Sequence, residues 1–489
     1  MIKVKFNWMI WHRRIGVATC VGIVLWALSG VSHPIMTHLQ PVPVAFTAPA
    51  NPLNIPTNFN AKAILSAQHI DHFEKLAFIS LNSKTYLRVS EQALSPARYF
   101  DVANGQELIH GDIQYANMLA SHFTGQVAEN ITKTELVTTF SDDYHEVNRL
   151  LPVWRVDFKD PDHLHAFIDT DQSRLSTLSN DTRDILTRFF RFGHNWSFID
   201  GAPKVQLVIM ALALSATLFS ALSGLYLYVR LRHKAKQRLA QAPIKRWHRR
   251  LGLTVALSTL MFASSGLFHL FMSYQQAKES FPTPILTVQT NNLTSRATQA
   301  LVNSIEQAVK IDLVNNDGKL FWLVQENMIK AEVAALVSEA HDHSHKDHHH
   351  GAVAGPMLIS IEDADTHLDT MSLAKKRAAN YANLPETDIL SSTLITHFDN
   401  EYGFIFKRLP VVKVQFKGKT NPRYFVEPAT GALAVKVENI DGLEGFVFAV
   451  IHKWNFNGLN KDLRDILVIL FALANVIVAL LGLKMFLKK

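Results

Sequence analysis

The stretch that decides the fold is Trp11-His12-Arg13-Arg14-Ile15-Gly16, which recurs in mid-chain as Trp247-His248-Arg249-Arg250-Leu251-Gly252. Each copy stands at the start of an apolar run. A second motif follows in both runs at the same spacing, as Ser29-Gly30-Val31-Ser32-His33 and Ser265-Gly266-Leu267-Phe268-His269. Both pairs of motifs are offset by 236 residues. A constant offset over separate motifs predicts an internal duplication.

The later part of the repeated unit has its own constant offset. His194-Asn195-Trp196 matches His452-Lys453-Trp454, and Gly224 matches Gly482, in each case 258 residues apart. The larger offset predicts an insertion in the second copy, between its two blocks of motifs. Each copy therefore contains three equivalent histidines, which are His12, His33 and His194 in the first copy and His248, His269 and His452 in the second.

Four apolar stretches without charged residues predict four transmembrane helices. Each approaches the roughly 20 residues that cross about 30 Å of hydrocarbon at 1.5 Å per residue. They are Ile15–Ser32, Val205–Val229, Leu251–Phe268 and Ile466–Leu483. A cleaved signal peptide, ending near Ala48-Pro49-Ala50, is the alternative for the first stretch. The recurrence of its pattern in mid-chain favours an uncleaved anchor.

Positive charge predicts the orientation of the spans. The segment Val229–Arg250 contains nine lysines or arginines and no acidic residue, and Lys484, Lys488 and Lys489 close the chain. By the positive-inside rule, this loop and both termini are cytoplasmic in a bacterial inner membrane. The long segments between the spans then lie on the periplasmic side. The formal charge of +7 is concentrated beside the apolar runs, which indicates a membrane-lipid surface and not nucleic acid.

Cysteine and glycine usage excludes several classes of site. The single cysteine, Cys20, lies within the first apolar run, which excludes a disulfide framework and any cysteine-based zinc or iron–sulfur centre. No glycine-rich dinucleotide fingerprint follows a strand pattern, so an NAD(P)H or FAD domain is not expected.

Both periplasmic segments are predicted to be α+β domains. Helical patterns cover Ala61–His69, Arg296–Ile311 and Ser372–Ala382. Strand–turn patterns cover Tyr99–Gly105 and Tyr424–Gly431, in which Asn-Gly or Thr-Gly supplies the turn. The predicted fold is therefore a membrane α-helical bundle, built from a duplicated two-helix unit, with two α+β periplasmic domains.

The predicted domain organisation alternates between membrane and periplasm. Its boundaries are 1–38 for the N-terminus and first span, 39–180 for periplasmic domain 1, 181–231 for an interfacial helix and the second span, 232–248 for the basic cytoplasmic loop, 249–274 for the third span, 275–440 for periplasmic domain 2, and 441–489 for an interfacial helix and the fourth span.

The motifs quoted above resemble those of the PepSY-associated transmembrane family. The resemblance rests on the Trp-His-Arg-Arg entries at Trp11 and Trp247, the periplasmic strand–turn motifs, and the histidine-bearing segments before the second and fourth spans. It covers nearly the whole chain and implies that both periplasmic domains are PepSY-like. Members of this family include iron-regulated inner-membrane proteins and haem-containing ferric-siderophore reductases. The resemblance therefore implies an oxidoreductase that acts on a ferric iron chelate or siderophore.

His12 and His248 stand at the cytoplasmic ends of the first and third spans. Two neutral imidazoles that face each other across a bundle suit axial ligation of a b-type haem. Interfacial residues that snorkel beside arginines are the alternative. The neighbouring arginines are candidates for binding haem propionates through charge-assisted bonds, or else serve topology alone. These arginines are Arg13, Arg14, Arg249 and Arg250.

The other four repeated histidines are predicted to lie near the outer face. His33 and His269 come 21 residues after His12 and His248, or about 31 Å along the same helices. They are axial ligands or polar helix-end residues. His194 and His452 lie in the amphipathic segments Asp181–Trp196 and Asp441–Trp454, which predict interfacial helices. Four histidines at this depth suit one haem or two.

A histidine-rich tract lies within the predicted insertion, at residues 341–350. Imidazole and carboxylate groups together bind several transition metals, so the tract is a candidate site for a divalent metal. A solvated loop with incidental affinity is the alternative. The candidate ligands are His341, His343, His345, His348, His349 and His350.

These observations predict a haem-containing electron-transfer protein of the inner membrane, with one or two b-type haems. The electron donor would be a quinol or a cytoplasmic reductase, and the acceptor a ferric chelate or ferric siderophore. A non-catalytic protein that captures or transports periplasmic metal is a second hypothesis. A cofactor-free, membrane-anchored regulator that binds a periplasmic partner is a third, and it predicts a colourless protein.

Overall fold

The computed structural model describes residues 7–231, 242–276, 287–293, 308–316, 318–326, 357–362, 367–399 and 401–488. The chain forms two compact units. The membrane unit comprises Met1–Gln40, Thr182–Ser280 and Ile440–Lys489, and the β-rich unit comprises Pro41–Asp181 and Phe281–Asn439. The predicted periplasmic segments 39–180 and 275–440 thus lie almost entirely within a single unit.

Helices occur in both units and make up most of the membrane unit. Among the described residues the helices are α1 (Trp8–Leu39), α2 (Ala61–Ala67), α3 (Gly111–Thr124), α4 (Asp181–Phe190), α5 (Pro203–Arg230), α6 (Pro243–Gln276), α7 (Thr370–Ala382), α8 (Asn439–Phe446) and α9 (Lys461–Leu487). Four of them, α1, α5, α6 and α9, are long and apolar enough to cross a membrane, which confirms the four predicted spans. Each is longer than its predicted apolar run, because polar residues extend the helix at both ends.

The four long helices pack as a closed bundle. Helix α1 contacts α9 and α5, and α6 contacts α5 and α9, so every helix touches two others. Small hydroxyl residues are buried within the bundle, and Ser29, Ser223 and Ser265 are each at most 1 % exposed. Small side chains at such positions let helix backbones come together in lipid, where no hydrophobic force drives helices to associate.

Helices α4 and α8 lead into the second and fourth spans in the same way. Helix α4 continues as a π-helix over Arg191–Asn195, and α8 continues as one over Val447–His452. Trp196 and Trp454 then adopt left-handed backbone conformations, with φ of +56° and +57°, which end both helical paths. Helices are therefore present in the predicted segments Asp181–Trp196 and Asp441–Trp454, each with a π-helical last turn that carries the histidine, and their interfacial position stays a prediction.

Strands and their short connections form most of the β-rich unit. Among the described residues the strands are β1 (His72–Phe73), β2 (Lys75–Leu81), β3 (Lys84–Ser90), β4 (Arg98–Asp101), β5 (Ile131–Val137), β6 (Val153–Phe158), β7 (His165–Asp169), β8 (Arg174–Ser179), β9 (Val288–Gln289), β10 (Ala308–Asn316), β11 (Lys319–Glu326), β12 (Met357–Ser360), β13 (His367–Asp369), β14 (Ile389–Ile395), β15 (Val411–Phe416), β16 (Arg423–Val426) and β17 (Leu433–Val437).

The two sequence segments of this unit share one sheet. Its order is β13-β12-β11-β10-β2-β3-β4, and β10 pairs antiparallel with β2 through Ile311 opposite Phe78 and Asp312 opposite Ala77. The described part of the unit also contains the two-stranded sheet β1-β9 and two four-stranded sheets, β5-β6-β7-β8 and β14-β15-β16-β17, on which α3 and α7 pack. The shared sheet buries Phe78 against Trp322, with ring centroids 5.5 Å apart. This contact joins the two segments in one core.

Most local predictions for this unit are confirmed, and one is wrong. Helices occur at Ala61–Ala67 and Thr370–Ala382, and turns follow β4 and β16 as predicted. The helix predicted over Arg296–Ile311 fails in its described part, because residues 308–311 begin strand β10. The β-branched residues Val309 and Ile311 favour a strand, and pairing with both β2 and β11 fixes it. Residues 296–307 lie outside the described residues.

Asp171, in the turn between β7 and β8, meets three cations of the shared sheet. Its carboxylate accepts hydrogen bonds from Lys75 Nζ at 2.7 Å and Arg88 Nη1 at 3.0 Å, and Lys310 Nζ donates to its backbone carbonyl at 2.7 Å. Burial opposes ionisation of Asp171, but Lys75, Arg88 and Lys310 outweigh burial and lower its pKa well below the usual range. This turn is therefore held to the shared sheet by charge.

Glu427, after β16, connects the two four-stranded sheets. It is 2 % exposed and accepts hydrogen bonds from Arg174 Nη1 at 2.7 Å and Arg408 Nη1 at 2.6 Å. Arg174 comes from β8 and also donates to Asp169 at 2.8 Å. Burial opposes ionisation of Glu427, but Arg174 and Arg408 outweigh it and lower the pKa of Glu427 to about 2. A carboxylate of one segment thus neutralises a buried arginine of the other.

We expect Glu427→Gln to destabilise the β-rich unit by roughly 3 kcal/mol, because two arginines would lose a buried counterion. Thermal unfolding of the full-length protein in detergent measures this loss of stability. Cleavage of the β-rich unit by a protease reports when that unit unfolds. The control is Glu135→Gln, which removes an exposed partner of Lys133 and should cost at most about 1 kcal/mol.

The loss of stability in Glu427→Gln should depend on pH. Since folding lowers the pKa of Glu427 from 4.5 to about 2, its stabilisation is fully present above about pH 4.5 and is lost as the pH falls toward 2. The difference in stability between the wild-type protein and Glu427→Gln should therefore shrink only below about pH 4.5. A difference that stays constant down to pH 3 would contradict the ionised contact.

Candidate functional site

His12 of α1 and His248 of α6 face each other inside the bundle. Their ring centroids are 6.4 Å apart and the rings are inclined by 59°. The Nδ1 of His248 lies 3.1 Å from the carbonyl oxygen of Val478. A carbonyl only accepts, so this nitrogen carries the proton and the Nε2 of His248 keeps its lone pair.

The hydroxyl of Ser223 fixes the ring of His12 in the same way. Ser223 Oγ donates to the carbonyl of Ser220 at 3.1 Å and lies 3.0 Å from the Nδ1 of His12. Because the hydroxyl proton is already used, Ser223 accepts from His12 Nδ1–H, and the Nε2 of His12 keeps its lone pair. Both rings of this inner pair therefore present the nitrogen form that binds a metal.

His194 and His452 form the second, outer pair. Their ring centroids are 6.0 Å apart and the rings are inclined by 82°. Ser265 Oγ donates to the carbonyl of Met261 at 2.6 Å and lies 2.9 Å from the Nδ1 of His452, so it accepts from that nitrogen. The Nδ1 of His194 is buried and lacks a hydrogen bond of comparable geometry to any described residue. Phe190 and Phe448 stack on His194 and His452 at 4.6 and 5.1 Å.

A glycine lies against each of the four imidazoles. A Cβ atom on these glycines would lie 3.1 to 3.9 Å from the ring Cε1, which is crowded at Gly224 and an ordinary van der Waals contact at the other three. The pairs are Gly224 with His12, Gly482 with His248, Gly30 with His194, and Gly266 with His452.

The two histidine pairs lie at opposite ends of one face of the bundle. Gly30, which touches His194, follows His12 by 18 residues in α1, and Gly266 follows His248 by 18 residues in α6. Eighteen residues are five helical turns, so the positions share a face and are separated by about 27 Å. This separation approaches the thickness of the hydrocarbon core.

Paired aromatic rings lie at intermediate depth. Trp26 stacks on Trp196 with centroids 5.0 Å apart, and Phe262 stacks on Trp454 at 5.3 Å. Sequence reasoning did not predict these ring contacts. It identified Ser223 and Ser265 as small residues at helix contacts, but not their hydrogen bonds to the histidines. The repeat contained a signal for the rings, since Trp26 and Phe262 differ by 236 positions and Trp196 and Trp454 by 258.

The four predicted propionate-binding arginines divide into two kinds. The guanidinium of Arg13 lies over the ring of Phe486 at 5.8 Å, and that of Arg249 lies over Tyr228 at 4.4 Å. Arg14 and Arg250 are exposed. The contacts of Arg13 and Arg249 attach each helix to a neighbour, and the propionate role of all four stays a prediction.

A family model described as the PepSY-associated TM region matches residues 90–489. The chain belongs to the PepSY-associated transmembrane family. No curated protein matches it significantly. Family membership and four apolar helices together make this chain a multi-pass membrane protein.

His33 and His269 are the other two predicted haem ligands. Among the contacts of the described residues, their rings do not form a facing pair. The ring of His33 lies 5.6 Å from Phe190. His269 stacks on Phe448 at 4.3 Å, and its Nδ1 lies 2.5 Å from Glu444 Oε1. Each therefore contacts the phenylalanine that stacks on an outer-pair histidine.

Simple metal sites are not found in the part of the chain that the structure describes. No group of three or more histidine, cysteine or acidic side chains is suitably placed there to hold a metal ion. Two facing imidazoles are a donor set for a metal whose other ligands come from a macrocycle. The histidine-rich tract at 341–350 lies outside the described residues.

Proposed function

We propose that this protein is an inner-membrane electron-transfer protein with two b-type haems, which reduces ferric iron or ferric-siderophore complexes on the periplasmic side. His12 and His248 would hold the inner haem, and His194 and His452 the outer one. The observation that carries the proposal is the presence of two facing imidazole pairs, with ring centroids 6.4 and 6.0 Å apart.

The separation within each pair fits axial ligation. Two imidazoles that bind one metal ion through Nε2, at roughly 2.0–2.1 Å each, have ring centroids roughly 6 Å apart. Three of the four histidines carry their proton on Nδ1 and so offer Nε2 as the ligand. Hydrogen bonding of the distal nitrogen is how proteins orient a ligating imidazole and raise its basicity. The four glycines leave free the space beside each ring.

Residues of the bundle would hold such a group by orienting its axial imidazoles. Ser223, Ser265 and the carbonyl of Val478 fix the imidazole orientations. When bound, a haem would supply a one-electron Fe³⁺/Fe²⁺ couple whose potential depends on axial ligands and burial. The protein's own task is thus placement and tuning.

The arrangement of the pairs supports electron transfer across the membrane. Two sites about 27 Å apart along the helices span most of the hydrocarbon core, so an electron that enters near His12 can leave near His452. The basic segment Val229–Arg250 favours the inner pair as the cytoplasmic one. A quinol or a cytoplasmic reductase would be the donor. Two equivalent pairs also support the proposed duplication, in which each half supplies one ligand to each haem.

We expect the purified protein to be red, with about two haems per chain and a Soret band that shifts on reduction by dithionite. Alanine at His12 or His248 should remove the inner haem alone, and alanine at His194 or His452 the outer haem alone. Each variant should therefore retain one haem per chain. Pyridine haemochrome absorbance against protein concentration measures the ratio.

The control for these variants is His38→Ala. His38 lies on α1 outside the repeat, and its Nε2 is hydrogen-bonded to Asp465 at 3.2 Å. This variant should keep both haems. A colourless wild-type protein from haem-replete cells would sink the proposal, and full haem content in all four histidine variants would refute the assignment of ligands.

The glycines allow a finer prediction about the inner site. Gly224→Ala would place a Cβ atom 3.1 Å from Cε1 of His12, which is closer than a relaxed carbon–carbon contact of roughly 3.5–4.0 Å. We expect a cost of about 1–3 kcal/mol, seen as loss of inner-site Soret absorbance at a lower temperature.

Gly252→Ala is the matched control, because its Cβ atom would meet Val478 Cγ1 at a relaxed 3.9 Å. It should leave the thermal release of haem unchanged. Equal release from both variants would mean that the space beside His12 does not constrain the inner site.

A further inference from the structure

His269 and Glu444 form a dyad that the facing pairs do not use. The Nδ1 of His269 lies 2.5 Å from Glu444 Oε1. The side chain of Glu444 is 14 % exposed, whereas that of His269 is 43 % exposed. Ser273 Oγ lies 3.4 Å from the opposite nitrogen, Nε2.

A carboxylate hydrogen-bonded to Nδ1 prepares an imidazole for metal binding. The bond holds the proton on Nδ1, directs the ring, and leaves the Nε2 lone pair available as a ligand. Carboxylate–histidine–metal arrangements of this kind are common in metalloproteins. The dyad of Glu444 and His269 therefore has the chemistry of one prepared ligand with an adjacent hydroxyl, and water or a bound chelate can supply the remaining donors.

Charges of both signs lie near this dyad. A second acidic residue of α8, Asp441, accepts a hydrogen bond from Gln276 Nε2 at 3.0 Å. The ammonium of Lys453 lies 4.8 Å from the centre of the Phe448 ring. Glu444 is the carboxylate that touches the imidazole of His269.

The dyad lies next to the outer histidine pair. Phe448 stacks on His269 at 4.3 Å on one side and on His452 at 5.1 Å on the other. A cation on His269 would therefore be separated from the outer pair by a single phenyl ring.

The equivalent position in the first half lacks this chemistry. His33 corresponds to His269 and Phe190 to Phe448, but Leu186 stands where Glu444 would be. Arg183 takes the position of Asp441. The first half therefore has the histidine without its orienting carboxylate, which makes His33 the matched control.

We infer that His269, oriented by Glu444, is a docking ligand for a first-row transition-metal cation at the outer end of the bundle. The inference deepens the proposed function, since it places a metal-binding position beside the outer haem site, where a ferric acceptor would receive its electron. Imidazole suits iron, copper and zinc ions alike, so binding of any of these ions can be used to detect the site.

The test measures Cu²⁺ binding to the protein in detergent. The protein lacks only residues 341–350, so that the histidine-rich tract does not bind the ion. Calorimetry measures binding, and electron paramagnetic resonance detects imidazole nitrogen coupled to Cu²⁺. We expect His269→Ala to abolish one binding site and His33→Ala to retain it. Glu444→Gln should weaken that site by roughly 10–100-fold, as loss of an orienting carboxylate does elsewhere.

An isotherm unchanged by His269→Ala, or lost equally in His33→Ala, would overturn the inference. An unchanged affinity in Glu444→Gln, which keeps the histidine in place, would overturn the orienting role. Haem content and elution volume show that each variant is folded. Because Cu²⁺ binding does not require haem, a colourless protein with a His269-dependent site would refute only the proposed function. A red protein without that site would refute only this inference.

Discussion

The membrane unit depends on how four imidazoles are accommodated inside an apolar bundle. A polar group that leaves water without a hydrogen bond costs several kcal/mol, and ionisable residues within a membrane are expensive for the same reason. The inner pair and His452 meet this constraint through Nδ1, with Ser223, Ser265 and the carbonyl of Val478 as partners. Those bonds direct Nε2 of each ring away from its supporting helix.

The helix contacts follow from that arrangement. A glycine lies against each ring, so each imidazole packs on helix backbone and not on a side chain. Ser223 and Ser265, which hold two of the rings, are themselves buried in the helix contacts. Packing and orientation of the imidazoles are therefore set by the same few positions, and a substitution at one of them changes both.

Sequence predicted the membrane unit better than the contacts within it. Apolar runs, basic loops and constant offsets are local signals, so the four spans and the six repeated histidines could be found without a structure. The partners of His12 and His248 come from α5 and α9, far away in the chain, and no local pattern identifies them. In the β-rich unit, the pairing of β2 with β10 is likewise long-range, and it converts the end of a predicted helix at residues 308–311 into a strand. Tertiary pairing overrides local propensity there.

Differences between the two halves carry information that their similarity does not. Equivalent residues such as His194 and His452 place the same group on both sides of the bundle, so they cannot distinguish one side from the other. Glu444 and Asp441 have Leu186 and Arg183 as counterparts, so α8 contains two acidic residues and no basic one, whereas α4 contains two of each sign. The imidazole of His269 therefore has a carboxylate partner at 2.5 Å, and the sequence provides no carboxylate at the equivalent position, Leu186, in the first half. A position that breaks the repeat thus gives one side of the bundle a contact that the other side lacks.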